Sequence, residues 1–271
     1  MTAKELYQAG RLQEAIDAAS AEVKAQPSAV GPRAFFCELL CFVGQLERAD
    51  KQLDTLSQLN PDAAVGVALF RQLLRAATHR QQCFREGRVP DFAAEPSEAL
   101  KRQLAALVDL RAGDSAAART RLNEAEATRV NPLGNCDGKP FDDLRDLDDL
   151  LAPVLEFLTP RGQYYWIEWT QLVKLEMKPI EHARDILWRP AEIAVTDGPQ
   201  GVVYLPSLYP GTESSTDDAL RLGRATDWLG GPGEPARGVG QRMLMVGDDA
   251  RPFLEIRQIS ITPISVLERD A

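Results

Sequence analysis

The stretch RGVGQRMLMVGDDARPFLEIRQISIT, residues 237–262, carries the pattern that ties the second half of the chain together. Met243, Met245 and Val246 precede Gly247-Asp248-Asp249, and Phe253, Leu254, Ile256, Ile259 and Ile261 follow with partial alternation. That is the pattern of two strands joined by a tight acidic turn, expected at 241–246 and 253–261. Ahead of them, Gly238 and Gly240 permit positive φ or close chain approach. Arg237 and Arg242 flank these glycines, so the turn is a candidate for holding a phosphate or an acidic peptide beside exposed amides. The G-x-G pair has no third glycine, lysine or strand-turn-helix setting, so it falls short of a nucleotide fingerprint and a structural turn is preferred. Arg242 is expected to lie beside Asp248 and Asp249 across the hairpin.

Upstream, Asn131-Pro132-Leu133-Gly134-Asn135 marks a change of composition and a domain boundary. The run FDDLRDLDDLLAPVLEFL (141–158) places Leu144, Leu147, Leu151, Val154 and Leu158 at helical intervals, with Asp142 and Asp143 suited to the helix start. Its acidic residues lack calcium-loop spacing. After Gly162 the chain turns aromatic, and all four tryptophans (Trp166, Trp169, Trp188 and Trp228) lie beyond residue 160. They are expected in a compact β-rich core, with one left accessible. Further strands are expected near 191–195 and 201–205, with looser structure at 206–218. Residues 131–271 therefore read as a small mixed or antiparallel β-rich domain.

Residues 1–130 read differently. Gly10 and Gly44, Ala15 and Ala49, and Pro27 and Pro61 are each separated by 34 residues, and both copies begin G-x-L-x-x-A. This is the tetratricopeptide length: glycine at the turn, a small alanine at the helix crossing, proline after the second helix. Helices are expected at 2–9, 12–25, 33–43 and 46–59. A less regular third copy keeps the five-residue offset at Gly113 and Ala118, with helices at 62–85, 98–111 and 115–129. The fold class is thus α+β, with tetratricopeptide-like helical hairpins followed by the β-rich domain.

Composition bounds the function. At 271 residues, 44% hydrophobic and 26% charged, the chain has the make-up of a globular protein. Its net charge of -9 falls wholly in residues 131–271, which argues against general nucleic-acid binding. No window approaches 18 uncharged apolar residues, so membrane insertion is not expected. Four cysteines are too few for a disulfide scaffold, and with no signal segment read at the start a reducing cytoplasm is the expected compartment. Cys37 and Cys41 lie one helical turn apart but lack further ligands in a recognisable spacing, so buried thiols are preferred to a metal pair. The two histidines, His79 and His182, fall on opposite sides of the boundary, and neither sits in a hydrolase or metalloprotease motif. Glu168 and Glu176 have no fixed carboxyl separation. No enzyme, metal or cofactor is nominated. Arg71, Arg75, Arg80, Arg85 and Arg88 give the middle helix a basic character: a solvated face, or a docking patch for an acidic segment.

The combination Gly162-Gln163-Tyr164-Tyr165-Trp166, Arg184-Asp185-Ile186-Leu187-Trp188-Arg189-Pro190-Ala191, Tyr209-Pro210-Gly211 and Arg237-Gly238-Val239-Gly240-Gln241-Arg242 resembles the ImpE/TagJ family, accessory components of bacterial type VI secretion. The resemblance extends over nearly the whole chain. It implies a cytoplasmic, non-enzymatic adaptor without cofactor, associated with the contractile sheath and with the AAA+ ATPase that disassembles it. It further implies binding of the small sheath subunit through an N-terminal segment of that partner. A helical stack offers a groove to such an amphipathic helix. Arg71, Arg75, Trp188, Arg237 and Arg242 are the candidate protein-binding residues. The alternative is a small-molecule enzyme with an interdomain pocket around Trp188, His182 and Arg242. A compact pocket with a strongly perturbed acid or base favours the enzyme, and an open apolar patch favours the adaptor.

Overall fold

The computed structural model describes residues 1–262 of the 271. Helices α1 (Ala3–Gln8), α2 (Leu12–Ala25), α3 (Val30–Phe42) and α4 (Leu46–Leu59) form two hairpins, followed by the long α5 (Ala64–Glu86). A short strand, β1 (Asp91–Phe92), separates α5 from a third hairpin, α6 (Glu98–Arg111) and α7 (Ser115–Glu126). Gly10, Gly44 and Gly113 all adopt positive φ at the turn inside a hairpin, at 80°, 68° and 79°. The alanines five residues later, Ala15, Ala49 and Ala118, are each 0% exposed, because any larger side chain would hold the paired helices apart. The expected bounds of α2, α4 and α6 are met. α3 starts three residues earlier than expected, since Pro32 is tolerated in a first turn whose amides have no helical acceptor anyway.

The second half is built from strands. In chain order they are β2 (Gly134–Cys136), β3 (Lys139–Phe141), β4 (Leu144–Asp146), β5 (Val154–Leu158), β6 (Tyr164–Glu168), β7 (Leu172–Met177), β8 (Trp188–Val195) and β9 (Gln200–Pro206). After the four-residue helix α8 (Asp218–Arg221) come β10 (Thr226–Leu229), β11 (Arg237–Gly240), β12 (Met243–Val246), β13 (Asp249–Pro252) and β14 (Gln258–Ile261). Eight of them join β1 in one nine-stranded sheet in the order β1-β6-β5-β9-β8-β7-β14-β2-β3, antiparallel except that β1 runs parallel to β6. β13-β12-β4 and β10-β11 form two smaller sheets.

Two expectations fail for identifiable reasons. Residues 141–158 are not a helix but β4, a turn and β5. Every residue of β5 is buried, with Val154 and Leu158 in the core shared with the helices and Leu155 and Phe157 in the core between sheets. A central strand covered on both faces reads as a continuous apolar run, which periodicity cannot tell from a buried helix. Of the two carboxylates expected to cap that helix, Asp143 serves an arginine instead, accepting from Arg129 at 2.7 Å. The 243–262 hairpin does form, but its second arm is β13, where Val246 faces Asp249. Pro252 then supplies no ladder amide, Phe253–Glu255 form a 3-10 turn, and the remaining residues cross to the large sheet as β14.

One apolar core crosses the boundary at residue 131. It contains Leu39, Phe70 and Leu74 from the helices together with Val154, Trp166, Trp188 and Tyr209. The second core, between the large sheet and β12–β13, centres on Trp169, Phe157 and Phe253. Trp166, Trp169 and Trp188 are buried, while Trp228 is 41% exposed.

Candidate functional site

The family-like motifs converge on a buried charge network joining the two halves. Arg242, 0% exposed, donates from Nε to Asp146 Oδ2 at 2.8 Å and from Nη1 to Glu156 Oε2 at 3.0 Å. From α5, Arg80 meets the same Glu156 in a two-pronged pair at 2.7 and 3.0 Å and reaches the Leu208 carbonyl at 3.1 Å. Tyr164 donates its hydroxyl to Glu156 and Trp166 donates its indole N–H to Tyr164, so the aromatic run closes one end of the network. At the other end, Tyr209 donates to Asp146 Oδ1 at 2.8 Å and accepts from the Met243 amide at 3.0 Å. Next to it, Asp148 takes Arg237 Nε at 2.8 Å and the Gly238 amide at 2.9 Å. Arg242 therefore does not lie beside Asp248 and Asp249: its partners come from β4 and β5, because the fully buried guanidinium needs buried carboxylates to offset its desolvation.

The two carboxylates on Arg242 respond differently. Burial pushes Asp146 up to about 6 despite Arg242, with Asp148 adding to the rise. Burial acts the same way on Glu156, but Arg80 and Arg242 together outweigh it and hold the carboxyl below its ordinary range. With a folded value above the ordinary 3.8, Asp146 takes up a proton in the native state that the unfolded chain does not bind. Its contribution is therefore fully present below the unfolded value and is lost as pH rises through about 6. Glu156 has the opposite sign, holding its contribution until pH falls below the usual carboxylate range. Stability against urea is expected to increase from pH 7.5 to 5.5, with a slope of at most about 1.4 kcal/mol per pH unit per proton. The Asp146 carboxyl carbon should titrate in the same window by NMR. Titration near 3.8, or a midpoint that drops across the window, would count against this assignment.

Arg80 and Tyr209 of the network line one narrow cleft. The cleft beside Trp188, between α5 and the 208–213 segment, encloses about 70 Å3, well below the several hundred that a small molecule requires. Trp188 stands edge-on to Phe70 at 6.2 Å between centroids. His182 lies elsewhere, half exposed, so Trp188, His182 and Arg242 do not share a pocket. His79 is buried, its Nε2 at 2.9 Å from the Val89 carbonyl oxygen. Cys37 and Cys41 are buried with both thiols pushed up by burial, Cys37 to about 12. Glu168 is held by Ser97, the residue that caps α6, whereas Glu176 pairs with Lys174 on the surface. Among the described residues no group of three or more His, Cys, Asp or Glu is placed to hold a metal ion, and no helix is long and apolar enough to cross a membrane.

The arginines of α5 have mostly found acidic partners within the chain. Arg71 pairs with Asp50 at 2.8 Å and Asp54 at 3.4 Å on α4, Arg80 with Glu156, and Arg85 with Glu213 at 2.6 Å. Arg75 is exposed and lines, with Arg71, an open groove between α4 and α5.

A large open groove lies between the helical half and the segment before β8. It measures about 710 Å3 and is walled by Tyr7 of α1, Pro32, Ala34 and Phe35 of α3, and Ile180 and Ile186 of the segment before β8. Tyr7 packs edge-on against Phe35 at 5.6 Å, and Ile180 is 43% exposed. At its floor Glu38 accepts from the Ala183 amide and from Arg184, both at 3.1 Å, which fixes the 180–186 segment as the opposite wall. Burial raises the Glu38 carboxyl, with Arg184 and His182 working against the rise. Residues Tyr7, Phe35 and Ile180 escaped the sequence reading because their apolar side chains look like ordinary core members. The one legible signal was Ile180, an aliphatic residue between Pro179 and Glu181 outside any periodic run.

Comparison with known proteins agrees with this architecture. The ImpE protein family model matches residues 138–260. The type VI secretion system accessory component TagJ of Pseudomonas aeruginosa is 33% identical over 264 residues, covering 97% of this chain and 92% of TagJ. The crystal structure of protein VPA1032 from Vibrio parahaemolyticus superposes with a TM-score of 0.91 at 27% identity, covering 98% of this chain and 99% of that one. Alignment across both halves, together with the family match over the sheet-rich part, shows that the chain belongs to the ImpE/TagJ family of type VI secretion accessory proteins.

Proposed function

We propose that this chain is a non-enzymatic cytoplasmic adaptor of the type VI secretion system that holds an amphipathic helix of the small contractile-sheath subunit in the groove between α1, α3 and residues 180–186. The observation that supports the reading is the groove itself, open, apolar and built on rigid helices, in a chain whose perturbed acids are consumed by internal ion pairs. An amphipathic helix laid into such a groove buries side chains at i, i+3, i+4 and i+7 while its polar face stays wet. Through the bound subunit the adaptor would stand beside the sheath-disassembly ATPase, and Arg71 and Arg75, at the exposed α4–α5 groove, offer a separate surface for an acidic partner.

Calorimetry with a peptide from the N-terminal segment of the small sheath subunit tests this. Saturable heat is expected, lost when a proline is placed in the middle of the peptide. Ile180→Asp puts a charge on the groove wall at an exposed position, so it should weaken binding by about tenfold or more without changing the thermal unfolding midpoint. Trp228→Asp, on an exposed strand remote in sequence from the groove, should leave binding unchanged. Absence of heat up to millimolar peptide, or equal affinity in the Ile180 variant, would remove the groove from consideration.

A further inference from the structure

Arg189 belongs to the family-like run 184–191, yet neither the buried network nor the groove uses it. It lines an open bowl of about 590 Å3 at one end of the large sheet, with Arg251, Arg257 and Asp137. The architecture of the bowl rests on Asp137, a non-glycine residue at φ 52°. One carboxylate oxygen accepts Arg251 Nη2 at 2.9 Å, and the other accepts the amides of Arg257 at 3.0 Å and Gln258 at 2.8 Å. Asp137 thereby fixes two arginine-bearing segments around the opening and is itself committed. Among the described residues, Arg189 and Arg257 have no carboxylate within ion-pair distance, and Arg189 Nε is buried with no acceptor. The remaining acid, Glu255, is exposed and makes no ion pair among the described residues.

This is unusual in its setting. Residues 131–271 carry all of the chain's net charge of -9, and the comparably or more buried guanidiniums Arg242, Arg221, Arg237 and Arg184 of this half are each met by a carboxylate, although Arg221 Nε, like that of Arg189, has no acceptor. A partly buried guanidinium whose N–H has no acceptor loses its water without recovering the hydrogen bond. Burial accordingly lowers the Arg189 pKa, with Asp185 only partly opposing it. An oxyanion seated in the bowl would give the Arg189 guanidinium the charge partner it lacks through its terminal N–H groups, because carboxylate and phosphate oxygens match the planar fork of arginine.

We propose that the bowl formed by Arg189, Arg251 and Arg257 is an oxyanion-binding site, taking a carboxylate or phosphate group with Arg189 and Arg257 as the donors. The test uses arginine Nε–Hε NMR spectra of the intact chain, titrated at constant ionic strength against chloride with inorganic phosphate and, separately, with N-acetyl-aspartate. Saturable shifts at Arg189 and Arg257 are expected with at least one anion. Preference for phosphate points to a phosphorylated ligand, and preference for the carboxylate to an acidic side chain. Arg189→Gln and Arg257→Gln should each weaken that anion by about tenfold while the circular dichroism spectrum is retained. Linear responses indistinguishable from chloride with both anions would overturn the proposal, as would undiminished affinity in both folded variants.

Discussion

Arg242→Ala is expected to cost about 3–5 kcal/mol of stability, enough to leave a large share of the chain unfolded at 37 °C. The size follows from what remains behind. Asp146 and Glu156 are both 0% exposed, and removal of the arginine strands the first and leaves the second to Arg80 alone. The carboxylates cannot recover water without opening the core around Trp166 and Tyr209. Urea unfolding at pH 7.5 is the direct measurement, with Arg71→Ala as comparison. That side chain is 42% exposed, so its pair with Asp50 should be worth no more than about 1 kcal/mol. Because the cost is that of orphaned charge, pairing Arg242→Met with Asp146→Leu should recover part of it. A loss below about 1 kcal/mol for Arg242→Ala, or no recovery in the double variant, would show that water reaches the network and that its charges are not orphaned by the substitution.

Gly238→Val should destabilise the sheet-rich half by about 3 kcal/mol or more, with Gly240→Val close behind. A Cβ on Gly238 would stand 2.1 to 2.5 Å from ring atoms of Tyr209. The ring cannot yield cheaply, since its hydroxyl is tied to Asp146 at 2.8 Å and it packs against Trp228 at 5.7 Å between centroids. Gly240 combines φ 91° with a Cβ position 2.2 Å from the Ala225 carbonyl oxygen. Valine there meets both an unfavourable backbone region and a backbone atom that cannot rotate away. Gly138→Val is the control: φ is 87° but nothing lies within 4 Å of the added Cβ, so only the conformational cost of about 1–3 kcal/mol applies. Equal midpoints for the Gly238 and Gly138 variants would mean that close packing against Tyr209 is not what requires glycine at this position of β11.

The helical half was legible because its signals are local. A 34-residue offset, a glycine that must take positive φ and an alanine at a crossing are each decided within a few residues. The glycines of 237–242 were legible as places of close chain approach, but the expected turn there is strand β11 (Arg237–Gly240), paired with β10, and a bridge at Gln241. The partners of Arg242 were not legible, because Asp146 and Glu156 lie 96 and 86 residues from it, and nothing in a single sequence links them. The misread helix at 141–158 has a related cause: leucines buried on two faces of a central strand carry no period, and aspartates that look like helix caps can equally be ligands for distant guanidiniums. The groove is the least visible feature. Tyr7, Phe35 and Ile180 become a surface only when three separate segments come together, and the sequence shows them merely as apolar.

The shortest strand has a consequence out of proportion to its length. β1 lays Asp91 and Phe92 beside Tyr165 and Trp166, at the margin of the large sheet where the aromatic run Tyr164–Glu168 would otherwise end in open amides and carbonyls. A bare strand edge of that composition is a template for pairing with another molecule, and it would be present in every copy. Two residues from the linker after α5 occupy part of that edge with a parallel strand, and Asp91 places a carboxylate there. The linker between α5 and α6 thus acts as a guard on the solubility of the sheet, a duty that falls outside the tertiary contacts holding the halves together and is lost in any truncation that removes residue 91.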